Sequence, residues 1–419
     1  MANEVVLPLD KARLRFEVGQ IFNPSAPINE KELFAGRTEQ LNAVIDAVSQ
    51  RGQHAVIFGE RGVGKTSLAT VLSSFLESNK NNKAILAPRV TCHVRASYSK
   101  LWKEIFDQIE ISNEKQIGFS KNPNVQKFNI SETLPPQITP HVVSRVLKNI
   151  GSQCVLIIII DEFDRIFRSE ASKLFADTIK MLSDGSVPVT LVLVGVADGI
   201  DQLIANHQSV GRALAQIRLP RMSQPELQEI IDKGLAKVNM QIDSEAKDYI
   251  CHLSQGLPYY THLLAQHSAY TALEVGQTRI KIENVQKGVE KAIERSHESL
   301  NEAYSKATAS SRKEHLYKQV LLACALARTD ERGQFPAVDV RQPMSAIMKK
   351  FYDIPAFARH LIAFCGEERG AVLEKGGRKH RHRFRFKDPL IQPYIILRGL
   401  ADRKINRKIL EKFDKVSKR

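Results

Sequence analysis

Residues Gly59-Glu60-Arg61-Gly62-Val63-Gly64-Lys65-Thr66 match GxxxxGK[ST] at every fixed position. A short apolar stretch, His54–Gly59, precedes them, and an apolar-periodic stretch, Lys65–Leu76, follows. Strand, glycine loop and helix in that order confine the chain to a phosphate-cradling α/β fold. The glycines let backbone N–H groups curl around phosphate oxygens, and the helix N-terminus adds its positive dipole. Gly59 through Ser67 are therefore expected to bind nucleotide, with Lys65 reaching the β- and γ-phosphates and the Thr66 hydroxyl on Mg²⁺.

Apolar runs and helical patterns alternate downstream. Ala84–Val94 reads as a strand, Tyr98–Ile109 as a helix, Cys154–Ile160 as a buried strand followed by a helix through Leu182, and Val189–Val194 as another strand. Continuously apolar strands separated by helices predict a parallel sheet covered on both faces. The polar stretch Glu110–Pro140 reads as an irregular insertion, and the arm 1–33, with Asn23-Pro24-Ser25-Ala26-Pro27, as extended. Ile157-Ile158-Ile159-Ile160-Asp161-Glu162 ends a buried strand in two carboxylates about 100 residues after the glycine loop. Asp161 is expected to hold Mg²⁺ and Glu162 to polarise the attacking water, which points to hydrolysis rather than binding alone.

Leu33-Phe34-Ala35-Gly36-Arg37-Thr38-Glu39-Gln40-Leu41 resembles the GR-containing box of AAA+ ATPases of the origin-recognition and replication-initiator branch. Asp161-Glu162-Phe163-Asp164 resembles that branch's acidic motif, and Val194-Gly195-Val196-Ala197-Asp198 its sensor-1 strand end, where the family has Asn. The resemblance implies that Asp198 orients water or meets the γ-phosphate; equally, it is the N-cap of a helix Gly199–Ala205. Arg212, in Ser209–Leu214, falls where the family carries an arginine finger that completes a neighbouring subunit's site, with Arg218 and Arg221 as competitors. A homo-oligomer or an AAA+ partner would follow.

From Pro225 to about His297 the pattern is helical, with Gln224–Val238, Ser244–Ser254 and Tyr259–Val275 as helices and Asp243 or Ser244 as an N-cap. Gly256-Leu257-Pro258 stands where many AAA+ proteins have a sensor-2 arginine and resembles the GxP element of STAND signalling ATPases, which implies that Pro258 packs near the nucleotide and that turnover is slow. A Gly-Pro helix start explains the same residues.

The net charge of +15 is lopsided: residues 311–419 hold 26 Lys+Arg against 12 Asp+Glu, the rest 35 against 34. Basic charge gathered at one end is the footprint of a polyanion-binding module. Lys313–Ala327, Gln342–Phe351 and Pro355–Cys365 read as three helices, followed by the hairpin signal Gly376-Gly377. Beyond it Arg381, Arg383 and Arg385 share one strand face, and His382, Phe384 and Phe386 the other. Three helices and a basic hairpin describe a winged helix. Lys375, Arg378, Lys379, Arg381, Arg383 and Arg385 would track the phosphates of double-stranded DNA, with Arg359 and His360 reaching a groove; such units also dock proteins. The tail Ala401–Arg419 is a helix or a loose cationic arm.

The expected plan is an arm (1–33), an α/β AAA+ core (34–222), a helical lid (223–310) and a winged helix with a basic tail (311–419). It describes an ATPase using ATP and Mg²⁺ to control DNA binding, or a STAND-like switch acting on a protein partner. Apolar runs such as Val155–Ile160 fall far short of the ~20 residues of a membrane-spanning helix. Five scattered cysteines fit reduced thiols in a cytoplasm-like compartment, nucleoid-associated if DNA is bound.

Overall fold

The computed structural model describes residues 8–24, 35–77, 85–115, 124–167, 169–197, 210–310, 315–377 and 381–413. The chain begins with helix α1 (Pro8–Ile21) and α2 (Thr38–Val48), then β1 (His54–Gly59) and α3 (Lys65–Glu77). Strands β2 (Ile85–Leu86) and β3 (Arg89–Thr91) lead to α4 (Tyr98–Asp107), the hairpin β4 (Glu110–Lys115) and β5 (Asn124–Asn129), α5 (Pro140–Gly151), β6 (Val155–Asp161), α6 (Glu170–Asp184), β7 (Val189–Val196) and β8 (Leu214–Arg218).

The central sheet runs β2-β6-β7-β1-β8, with β3 also on β6, and its pairings are parallel. Alternate residues of each strand feed opposite cores, as a two-residue side-chain period requires. Ala55, Ile57, Ile157, Ile159, Val192 and Val194 pack with α3 on one side. Val56, Phe58, Ile158, Ile160, Leu191 and Leu193 pack on the other with Trp102 and Phe175. Both faces are dry, which is why the strands read as unbroken apolar runs.

Three expectations need correction here. The stretch Ala84–Val94 is two strands, interrupted at Ala87-Pro88. Pro88 has no N–H for the ladder, although its carbonyl still accepts from Ile159 N–H at 2.9 Å. Part of the polar stretch after Ile109 is an ordered antiparallel ladder, Glu110↔Asn129 to Lys115↔Asn124, which low aliphatic content concealed. The arm contains a helix, α1, because Val18 and Phe22 are fully buried against the helices beyond the sheet, with Phe22 packed where Gly234 has no side chain.

Those helices are α7 (Gln224–Lys237), α8 (Ser244–Ser254), α9 (Pro258–Glu274) and α10 (Ile282–Arg295), with a small parallel pair β9 (Gln241–Ile242) and β10 (Arg279–Ile280). Asp243 is the cap residue of α8. Helix α11 (Glu298–Thr308) leads to α12 (Tyr317–Leu326), β11 (Phe335–Pro336), α13 (Ala337–Met348), α14 (Ile354–Ala363), β12 (Leu373–Gly376), β13 (Arg383–Phe386), α15 (Ile391–Ala401) and α16 (Arg407–Lys412). The antiparallel sheet β11-β13-β12 closes over α12–α14 through buried Phe335, Phe384 and Phe386. Helix α13 starts five residues before the expected Gln342, with Pro343 in its interior; a proline that marks a helix start by rule here sits past the first turn. Among the described residues no helix is long and apolar enough to cross a membrane, and no cluster of three or more His, Cys, Asp or Glu side chains could by itself hold a metal ion.

Candidate nucleotide site

The glycine loop turns between β1 and α3 with Gly62 at φ +85° and Gly64 at φ +93°, backbone that L side chains rarely adopt. A Cβ on Gly59 would lie 2.4 Å from the Leu219 carbonyl oxygen. Lys65 is buried and donates to the carbonyls of Gly59 (3.1 Å) and Glu60 (2.7 Å). Burial pushes its pKa down to about 8, opposed by Asp164, Asp161 and Glu60. The ammonium is therefore largely charged at neutral pH, as a phosphate ligand must be.

A cleft of about 700 Å³ opens over this loop. On one side it is lined by Lys65, Thr66, Ser67, Asp161, Glu162 and Asp164, on the other by Pro24, Pro258, Tyr259, His262 and Leu390. The polar wall gathers what the sequence expected of it. Asp161 is buried at the end of β6, and its Oδ1 accepts from Glu162 N–H at 2.8 Å. Thr66 and Asp161 offer hard oxygen donors of the kind Mg²⁺ takes, so the residues fit that ion. Glu162 sits in left-handed backbone at φ 53° and pairs with Arg165 Nε at 2.6 Å. Pro258 also belongs to the cleft, close over Gly64.

Several contributors come from outside the glycine loop and the Asp161–Glu162 pair. Arg89, from β3, reaches Asp161 Oδ2 with its Nη2 at 2.6 Å. Asp164 accepts from Val196 N–H at 2.8 Å and so ties the end of β7 to the acidic strand. Arg37 of the GR box is almost fully buried and donates to the carbonyls of Val63 (3.1 Å) and Pro220 (2.6 Å), joining the glycine loop to the chain entering α7. Burial lowers its pKa, and Glu226 opposes that. Of these, Arg37 lies in the GR box and Asp164 in the acidic motif, and Arg89 lies in neither. His262 was findable, since it follows Pro258 by four residues on one helix face.

The C-terminal unit closes on the same loop. Arg61 pairs with Asp388 at 3.2 Å, and a Cβ on Gly62 would meet Leu390 Cδ2 at 2.8 Å. Tyr260 donates its hydroxyl proton to the Leu390 carbonyl at 2.6 Å. Arg221 spans the junction, donating to Glu60 (2.7 Å) and to Gln392 Oε1 (2.8 Å). Arg218 is likewise engaged, donating to the Glu331 carbonyl at 2.6 Å.

Arg212 is exposed and lines a separate hollow with Gln50, Arg51 and Asp184, not the cleft over its own glycine loop. Asp198, Arg378 and Lys379 lie outside the described residues. In the basic unit Arg359, Lys375 and Arg381 are exposed. Arg383 pairs with Asp330 at 2.9 Å and Arg385 with Glu374. His360 is a correction: it is 3% exposed beneath Tyr317, with ring centroids 4.9 Å apart, and cannot reach a groove.

A family model described as Novel STAND NTPase 1 matches residues 27–359, most of the chain. The chain belongs to the novel STAND NTPase 1 family. No curated protein sequence matches this nSTAND1 chain. Among solved structures, the ORC2 protein of Aeropyrum pernix, in ADPNP–ADP complexes, superposes with a TM-score of 0.52 at 13% identity, covering 94% of this chain and 97% of that one. A Walker-type ATPase of Pyrococcus abyssi gives 0.53 at 14% identity, covering 90% and 99%. At such identities the likeness is one of fold: a P-loop AAA+ architecture carried by an nSTAND1 NTPase.

Proposed function

We propose that this NTPase is an ATP- and Mg²⁺-dependent switch whose C-terminal winged-helix unit binds double-stranded DNA and is latched onto the glycine loop. The core spans 34–222, the lid 223–310 and the winged helix 311–419. The observation that carries the reading is the seating of Leu390 on Gly62, beside the Arg61–Asp388 pair, at the rim of the nucleotide cleft. Nucleotide entering that cleft changes the surroundings of Leu390 and biases the docked unit. Bound at Thr66 and Asp161, Mg²⁺ would neutralise charge on the triphosphate. Glu162 takes the proton of the attacking water once it leaves Arg165, and Lys65 holds the phosphates. Exposed Arg212, away from its own cleft, is suited to complete the site of a second copy. Lys375 and Arg381 supply salt-dependent contacts to DNA phosphates.

A second reading has its own observation. Arg383 and Arg385 are paired within the unit, and Ile362, Val338 and Phe351 are exposed on it, which suits docking of a protein. The nSTAND1 membership points the same way.

The test is ATP turnover with three variants. Lys65→Ala should neither bind nor hydrolyse ATP, and Glu162→Gln should bind it without turnover. Mixing Glu162→Gln with Arg212→Ala subunits should recover activity if sites are shared. Unaltered ATP affinity in Lys65→Ala would sink the site assignment.

A further inference from the structure

His262 is 7% exposed, one turn along α9 from Pro258, and both of its ring nitrogens are buried without a hydrogen-bond partner. Buried polar atoms in folded proteins are nearly always paired, so two orphans on one ring mark a site with something to receive. The ring lines the same cleft as the glycine loop. Around it are Pro24, Pro258 and Tyr259 on the cleft wall and Phe22, whose ring centroid is 6.0 Å away. The ring's neighbours are mostly apolar, while the carboxylates Asp161, Glu162 and Asp164 line the same cleft with Lys65.

The two sets of residues suit different parts of a nucleotide. Phosphates go to Lys65 and the loop N–H groups. The remaining portion is a flat, largely apolar ring system edged with donors and acceptors, which fits walls of proline and tyrosine that also carry His262 and Asn23. Burial holds the His262 pKa near 4, so the imidazole is neutral at pH 7 and offers one donor and one acceptor. A neutral ring is a poor phosphate ligand and a good partner for a base edge.

We propose that His262 hydrogen-bonds the nucleobase of the bound nucleotide and makes binding depend on which purine that nucleotide carries. The proposal rests on the nucleotide-site reading above and adds to it a specificity residue that no glycine-loop or acidic motif contains. A site with a buried polar group rejects a base that leaves that group unpaired, and so discriminates more sharply than an apolar pocket.

Calorimetric titration of the full chain with ATP, GTP and inorganic tripolyphosphate separates base from phosphate contacts. The wild type should bind ATP and GTP with clearly different affinities, and both ahead of tripolyphosphate. His262→Leu should lose roughly ten-fold in ATP affinity, as expected for one lost hydrogen bond in a closed site. Its ratio of ATP to GTP affinity should move toward one, while tripolyphosphate binding stays unchanged and reports an intact fold. His262→Gln, which keeps a donor and an acceptor, should recover most of the ATP affinity. Lys65→Ala should lose all three ligands. His262→Leu with wild-type ATP affinity and preference, or with equal losses of ATP and tripolyphosphate, would overturn the proposal. A wild type that binds neither ATP nor tripolyphosphate would overturn the nucleotide site itself.

Discussion

Arg89 Nη2 lies 2.6 Å from Asp161 Oδ2, so the carboxylate expected to hold Mg²⁺ already has a cationic partner. The pair is three-quarters or more buried, where a charge-assisted hydrogen bond is worth more than on the surface. Metal and guanidinium therefore compete for one oxygen. Arg89→Gln should lower the Mg²⁺ concentration needed for half-maximal ATP binding by about ten-fold, the equivalent of roughly 1.4 kcal/mol. A Mg²⁺ titration at fixed ATP checks this; a higher requirement in the variant would mean that Arg89 positions Asp161 instead of blocking it.

Glu162 faces a parallel restraint. Its pairing with Arg165 at 2.6 Å is half exposed, so releasing it costs little, on the order of 1 kcal/mol or less. That is enough to slow a base that must be free to take a proton. Arg165→Ala should raise the ATP turnover rate by a few-fold at unchanged ATP affinity. Equal or slower turnover would show that the ion pair does not restrain the base.

Acid should unfold the protein through its buried histidines. His54 accepts the Leu191 N–H at Nδ1 (3.0 Å), and burial lowers its pKa to about 4, as it does for His262. His267 is also held near 4, by burial first and then by Arg295, Lys291 and Arg15. Unfolded histidines titrate near 6.5, so between pH 6.5 and 4 the unfolded chain binds more protons and stability drops as pH drops. The loss is on the order of 2 kcal/mol per fully buried histidine by pH 5. Urea midpoints measured without nucleotide should be flat above pH 7 and fall steadily below 6.5. A flat midpoint down to pH 5 would show that these side chains gain exposure without unfolding.

Lys65 gives the opposite limb. Because its pKa is lowered to about 8, its charge is lost as pH rises past that value. ATP affinity should decline between pH 7 and 9, and Lys65→Arg, which keeps its charge, should flatten the decline. An unchanged slope in that variant would assign the effect elsewhere.

The parallel core and the polar half of the cleft were legible because each rests on local rules. A glycine loop needs glycines, a buried parallel strand is apolar throughout, and a metal carboxylate sits at a strand end. Arg89 meets Asp161 through the register of β3 on β6, and Arg165 and His262 line the cleft one turn after Glu162 and Pro258, so none of the three sits in a motif of its own. The sequence around Arg89 and Arg165 looks like any charged surface, and only the spacing from Pro258 marks His262. The arm was misread because α1 owes its stability to Val18 and Phe22 buried against other helices, a tertiary effect. His360 was misread because a histidine on a short helix next to an arginine looks exposed until Tyr317 covers it. The seating of residues 388–392 on the glycine loop links segments more than 300 residues apart, which no local pattern announces.

That seating is the centre of the account, and duplex-DNA binding by fluorescence anisotropy tests it most directly. The wild type should bind weakly without nucleotide and more tightly with ATP, with a steep salt dependence. Leu390→Ser, which loosens the latch on Gly62, should bind tightly whether or not ATP is present, and adding Arg381→Ala and Lys375→Ala should abolish that gain. DNA binding that is absent in the unlatched variant, or indifferent to ATP, to Leu390 and to the basic residues alike, would contradict the account and leave the protein-docking switch in its place.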